Sequence, residues 1–214
     1  MIKKLTTKIL VGGVVLVAVI GIGLYTNTIK LPIEKEIYTQ YVADFSNDRI
    51  LMGASQNVFV GKVIKQVGNE DIGIGPVTQF EVEVIHNIKG NIKGAVVVLQ
   101  QGGYRNGILY TVHGGEVMSP STDGVENLLQ PGTTYLLATR NTDGQGWYYL
   151  NSHQNGSKII SENVSLSSAQ LRIIAQNDEK VQKLQEAYKN EILLETDIKN
   201  NNTRNSYQSL QSTK

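Results

Sequence analysis

Residues 102–127 carry the side chains that best suit recognition of another molecule. The stretch has 26 residues, more than the usual connection between neighbouring strands, and long ordered loops often hold functional residues. Its mixture of aromatic, basic and acidic side chains is typical of a binding surface. The predicted partner-binding residues are Tyr104, Arg105, Tyr110, His113 and Glu116.

Two other interpretations of this stretch stay open. In the first, Glu116, Asp123 or His113 serves an exported hydrolase as acid or base, which requires these side chains to converge in one pocket. In the second, residues 108–112 form another strand and the remainder is ordinary turns.

Most catalytic and metal-binding motifs are absent. The chain has no Cys, which excludes disulfides, thiolate nucleophiles and Cys-ligated zinc. The nearest approach to a nucleophile elbow, Gly53-Ala54-Ser55-Gln56-Asn57, lacks the final Gly that the tight turn needs. No single helix or strand can gather the histidines, so we interpret His86, His113 and His153 as separate surface residues. We therefore predict no catalytic residue, no metal site and no cofactor.

The overall charge gives no reason to expect nucleic acid as a partner. Lys and Arg number 20 against 19 Asp and Glu, a formal net charge of +1, whereas nucleic-acid-binding domains carry a basic patch. Glu81 and Glu83 lie two residues apart and would share the solvent face of one strand, where ordinary solvated charges belong.

The N-terminus predicts a membrane anchor. Lys3, Lys4 and Lys8 form a basic stub over 1–8 and precede an uncharged run over 9–25, close to the length that spans a bilayer. The positive-inside rule keeps the lysines in the cytoplasm. We expect a single-pass cell-membrane protein with an extracytoplasmic C-terminal domain. The alternative is a cleaved signal, which would make the protein secreted.

Strands dominate the middle of the chain. Residues 78–85 alternate, with Phe80, Val82 and Val84 on one face and polar residues on the other. Gly61 lies inside another strand pattern and indicates a bulge or a close approach. Further strand patterns cover 57–67, 95–101, 133–139, 147–150 and 158–161. Strands at this spacing without intervening helices favour an all-β barrel or sandwich.

The flanking segments differ from this β-rich region. Residues 26–48 are a predicted stalk or lead-in. A helix is predicted over 165–194, capped by Ser165 or Ser167 and amphipathic along its length. It would pack on the β domain or mediate self-association. The polar residues 197–214 predict a disordered tail.

Residues 49–160 resemble a known family. The resemblance rests on Val60-Gly61-Lys62-Val63, Ile88-Lys89-Gly90, Gly102-Gly103, and Pro131-Gly132 through Tyr135-Leu136-Leu137. These patterns are similar to the netrin/tissue-inhibitor-of-metalloprotease (NTR-like) module in its bacterial exported form. The resemblance implies a mainly β fold, an OB-type five-stranded barrel. It carries over no inhibitor function, because those inhibitors grip the protease zinc with an N-terminal Cys.

These observations predict a non-enzymatic binding module tethered to the membrane through 9–25. Its expected partner is an envelope protein or another extracytoplasmic component. The alternatives are the exported hydrolase using the 102–127 loop and a structural spacer that self-associates through 165–194.

Overall fold

The computed structural model describes residues 33–39, 43–71, 75–114, 125–142, 146–151, 155–195 and 197. The predicted stub over 1–8 and membrane segment over 9–25 lie outside these residues, as does the predicted tail beyond 197. Among the described helices, none is long and apolar enough to cross a membrane.

The described residues form ten strands and three helices. The strands are β1 (Ile33–Thr39), β2 (Asn57–Asp71), β3 (Pro76–Lys89), β4 (Ala95–Gln101), β5 (Gly103–Arg105), β6 (Ile108–Gly114), β7 (Val125–Glu126), β8 (Thr134–Asn141), β9 (Tyr148–Leu150) and β10 (Ser157–Ser161). The helices are α1 (Asp48–Ala54), α2 (Ser168–Asn177) and α3 (Glu179–Lys189). Part of the predicted lead-in, β1, is therefore a strand, and it pairs with β6.

Five strands close into a barrel in the order β2-β3-β4-β9-β8 and back to β2. Neighbours are antiparallel except β4 and β9, which run parallel and pair Val98 with Tyr148 and Leu99 with Tyr149. The edge of β8 away from β2 pairs first with β10 and then with β9. The expectation of a mainly β fold with a five-stranded barrel is confirmed.

Two hydrophobic clusters meet at β2 and β8. Phe59 and Leu137 point into the barrel, while Val58, Val60 and Leu136 belong to the cluster under the helices. Both faces are therefore buried around Val58–Val60 of β2 and Leu136–Leu137 of β8, which explains why the sequence there is a continuous apolar run rather than an alternating one.

The alternation predicted for β3 is confirmed. Phe80 and Val82 are buried inside the barrel and Val84 packs against the same cluster. Glu81 and Glu83 are only partly buried on the other face. Glu81 pairs with a lysine of β2 at 3.2 Å.

The irregularity predicted at Gly61 is confirmed as well. Gly61 pairs with Val84, whereas the residue before it pairs with His86, so Ile85 is an extra residue in β3. A Cβ atom on Gly61 would lie 2.5 Å from a methyl group of Val82. Glycine thus permits a close approach of β2 to β3 at this bulge.

The prediction of one helix over 165–194 is wrong in its continuity. Ser167 caps α2 in a capping box, as one of the two predicted caps, but α2 ends at Asn177. The Asp178 carboxylate then accepts the N–H groups of Lys180 and Val181 and begins α3. An acidic side chain that satisfies free N–H groups starts a new helix there.

The inner faces of α2 and α3 pack on the barrel. Leu171, Ala175, Val181 and Leu184 are buried in the cluster that they share with β2 and β8. Packing of the helical region on the β domain is therefore confirmed, and self-association through 165–194 stays a prediction. The buried face does not run the whole length of the predicted amphipathic helix, because Ile174, Tyr188 and Ile192 are 36%, 40% and 39% exposed.

After α3 the chain crosses α1. The Ile192 N–H donates to the Arg49 carbonyl at 2.9 Å, and a Cβ atom on Gly53 would lie 1.9 Å from the Ile192 carbonyl oxygen. Asp197, the first residue of the predicted tail, is paired with Arg140 of β8.

Candidate functional site

The N-terminal part of the 102–127 stretch is a β-hairpin. β5 and β6 pair Tyr104 with Leu109 and Gly103 with Tyr110, and the turn between them is Asn106-Gly107, with φ of 52° and 77°. Positive φ at both central residues belongs to the two-residue turn that best matches strand twist. The interpretation of 108–112 as a strand is confirmed.

Side chains of β2 and β3 hold this hairpin in place. The Asn69 amide donates to the Tyr104 carbonyl at 2.7 Å, and the Thr78 hydroxyl donates to the Gly102 carbonyl at 2.8 Å. Arg105 forms an ion pair with Asp71 at 3.1 Å. Two of these three contacts end on backbone carbonyls, so they fix the path of the hairpin rather than one side chain.

A buried glutamine holds the returning chain. Gln100 is 1% exposed. Its Oε1 accepts the Leu129 N–H at 2.8 Å and its Nε2 donates to the Asn127 carbonyl at 2.9 Å. The Leu129 side chain enters the barrel cluster. The end of the 102–127 stretch is thus bound to the barrel by hydrogen bonds and by apolar packing.

The hairpin and the barrel enclose an open cleft of about 710 Å³. Tyr104, 52% exposed, stands on the hairpin side, and Ile159, 50% exposed, stands on the β10 side. The residues lining the cleft include Gln66, Phe80, Tyr104, Leu109, Tyr110, Thr111, Leu128, Gln130, Tyr135, Ser157, Ile159 and Glu162.

The described part of the lining is aromatic, aliphatic and polar with little charge. Among the described lining residues, Glu162 is the one ionisable acid or base apart from the tyrosines. The Tyr135 hydroxyl accepts the Gln130 N–H at 3.1 Å. The Thr111 hydroxyl is buried and has no hydrogen-bond partner among the described residues. Such a cleft suits an uncharged ligand that offers apolar surface and hydrogen-bonding groups.

The structure brings two of the predicted binding residues together. Tyr104 and Tyr110 both line the cleft, whereas Arg105 does not and faces Asp71. The backbone of His113 belongs to β6, and its side chain is outside the described part. Glu116 also lies outside the described residues.

The hydrolase alternative cannot be compared with the described residues. Asp123, like Glu116, lies outside the described residues, so the hydrolase stays a prediction. Over the described part of the chain, no group of His, Asp and Glu could hold a metal ion. The Ser55 hydroxyl is buried and donates to the Leu51 carbonyl at 2.6 Å.

Sequence reasoning missed the barrel side of the cleft. Gln66, Tyr135 and Ile159 come from three different strands, and no local pattern says that they meet. A signal for the hairpin was present, because Asn106-Gly107 between apolar segments is the strongest short-range mark of such a turn.

The chain matches no protein-family model, and no curated protein matches it.

Proposed function

We propose that this chain is a non-enzymatic, membrane-tethered binding module of the cell envelope. Its cleft takes an uncharged, partly apolar segment of another extracytoplasmic protein. The observation that carries the proposal is the position of Tyr104 and Tyr110, which line one cleft together with barrel residues.

The chemistry of the cleft supports a protein ligand. Tyr104 and Ile159 are about half exposed on opposite sides of it, and tyrosines contribute a large share of binding energy at protein interfaces. Because the hairpin is already held by Asn69 and Thr78, binding would cost little ordering of this segment.

The location is inferred from the N-terminus. Lys3, Lys4 and Lys8 before the uncharged run over 9–25 support an anchor with the remainder exported. The strand order β2-β3-β4-β9-β8, with its parallel pair of β4 and β9, supports the OB-type barrel of an NTR-like module.

The test is cross-linked capture from envelope extract with the full-length chain as bait and mass spectrometry as readout. The variants are Tyr104→Ala and Tyr110→Ala. The matched control is Tyr188→Ala, which removes a 40% exposed tyrosine from α3 rather than from the cleft.

We expect the wild-type chain and the control to enrich the same envelope protein. Each cleft variant should lower that enrichment about tenfold or more, as loss of an interface anchor does. Equal enrichment by all four proteins would contradict the proposal, provided that circular dichroism shows the variants to be folded.

A further inference from the structure

A second hollow, of about 500 Å³, lies beside the turn between β3 and β4. Its wall combines the end of β3, the turn itself and one residue of α2. The side chains that matter are His86, Asn87, Lys93 and Arg172. In the described part of the chain, no residue lines both this hollow and the cleft described above.

Hydrogen bonds to backbone groups hold the Arg172 and Asn87 side chains in place. Ile85 is the extra residue of the bulge in β3, and His86 comes directly after it. Bulges change the direction of neighbouring side chains in this way. Arg172 Nε donates to the Ile85 carbonyl at 3.1 Å. Asn87 binds both the N–H and the carbonyl of Ile92, which fixes the turn that carries Lys93.

The hollow carries positive charge that the described part of the chain leaves unneutralised. Neither Lys93 nor Arg172 forms an ion pair with a described carboxylate. Glu83, which lies on β3 as His86 does, accepts a hydrogen bond from Ser168 at 2.8 Å and does not line the hollow. Two cations beside a histidine, with no carboxylate among the described lining residues, form a setting suited to an anion.

We infer that this hollow binds a phosphate group, with Arg172 and Lys93 supplying the charge and His86 a further N–H donor. The His86 Nε2 accepts from the Gln185 amide at 3.4 Å, so Nδ1 is the donating atom of the neutral ring. The guanidinium matches phosphate oxygens in pairs, and the lysine acts as a point charge. The inference is independent of the cleft, since the two sites share none of their described lining residues.

The pKa of the His86 ring offers a way to measure phosphate binding in this hollow. Burial first, and then the charge of Arg172, lowers the pKa of the His86 ring below its ordinary value. A phosphate between the two groups would compensate the Arg172 charge and stabilise the imidazolium. The pKa of His86 should therefore rise when phosphate binds.

The experiment is a pH titration of the full-length chain with 15N-labelled histidine, followed by NMR. The His86 signals are assigned by their loss in His86→Gln. The probes are inorganic phosphate, glycerol 3-phosphate and dihexanoyl phosphatidylglycerol below its micelle concentration, each against chloride at equal ionic strength. Glycerol 3-phosphate represents a free phosphomonoester, and the lipid represents a headgroup diester.

At least one probe should raise the pKa of His86 by about half a pH unit or more, as a nearby opposite charge does. Arg172→Gln and Lys93→Gln should each remove most of that rise. The matched control, Arg105→Gln, removes an arginine that already pairs with Asp71 and should leave the rise intact. Whichever probe acts at the lowest concentration identifies the source of the phosphate group.

No rise with any of the three probes would overturn the inference. A rise that persists in both Arg172→Gln and Lys93→Gln would overturn it too, because the anion would then bind elsewhere. If one of these variants does not fold, the other still decides the question.

Discussion

Arg140 and Asp197 form a two-bond ion pair that joins β8 to the end of the described chain. Nη2 donates to Oδ1 at 2.7 Å, and Nη1 donates to Oδ2 at 3.1 Å. Nη1 also donates to the Ala54 carbonyl at the end of α1, at 2.7 Å. One guanidinium therefore connects the barrel, α1 and the segment that follows α3.

Loss of this pair should weaken the fold at neutral pH. We expect Asp197→Asn to lower the free energy of unfolding by about 0.2–1 kcal/mol, the range for ion pairs near the surface. Urea unfolding at pH 7 measures it. The control is Glu186→Gln, whose partner Lys189 is two-thirds exposed, and it should change stability less. A larger loss in the control would contradict the prediction.

The same variant should alter the acid limb of the stability profile. The hydrogen bond from Arg140 lowers the pKa of Asp197 below its usual value, so the unfolded state takes up this proton first as pH falls. The stabilisation is present above the unfolded pKa near 4 and disappears as pH falls through the folded pKa. In Asp197→Asn, the free energy of unfolding should therefore fall less steeply with decreasing pH than in the wild type. Urea unfolding at a series of pH values between 6 and 2 measures the difference.

Gly53 should tolerate no side chain while the chain passes over it. We expect Gly53→Ala to destabilise the protein by about 1–3 kcal/mol, the cost of overpacking, because the added Cβ would meet the Ile192 carbonyl oxygen. In a chain ending at Asn190, the same change should be neutral or stabilising, as alanine favours a helix. Equal destabilisation in both chains, measured by urea unfolding, would contradict the crossing as the cause.

A substitution of Gly107 should affect the β5–β6 hairpin and leave the barrel unchanged. Its φ is +77° and a Cβ atom there would meet nothing within 4 Å, so Gly107→Ala brings backbone strain of about 1 kcal/mol and no clash. Amide hydrogen exchange should speed up in β5 and β6 and stay unchanged in β2. Asn106→Gly, which relaxes the same turn, is the control and should not speed up exchange.

His86 should make stability depend on pH near neutrality. Because its folded pKa lies below the unfolded value near 6.5, the unfolded state binds the proton first as pH falls. Stability should therefore decrease from about pH 7 until the folded pKa is passed, and then level off. His86→Gln should flatten this slope, and Arg172→Gln should reduce it. An unchanged slope in His86→Gln, measured by urea unfolding, would contradict the assignment.

Much of the barrel was predictable because the burial of a strand face produces a recognisable pattern in the local sequence. The alternation from Phe80 to Val84 marks a strand with one wet face, and Gly61 marks the bulge. The apolar run around Phe59 predicts a strand but not that helices cover its outer face. That cover depends on residues such as Leu184, more than a hundred positions away.

The candidate site was predictable only in part, since its halves come from distant segments. Tyr104 and Tyr110 stood out by type, but their meeting with Gln66 and Ile159 depends on the closure of the barrel. The break at Asp178 was missed because the apolar spacing continues across it, and only a capping side chain distinguishes one long helix from two.

The closure of the barrel also sets an order of folding. β2 and β3 pair from Val58 to Asp71, and Asp71 and its partner Pro76 are only five positions apart in the sequence. The parallel pairing joins Leu99 to Tyr149, which closes a loop of about 50 residues and carries a larger entropic cost. We therefore expect the β2–β3 hairpin to form early and the two long-range pairings that close the barrel, β4–β9 and β2–β8, to form late. Until these long-range pairings form, the strand edges that they join are unpaired, so the interval before closure is when a nascent chain is most exposed to aggregation.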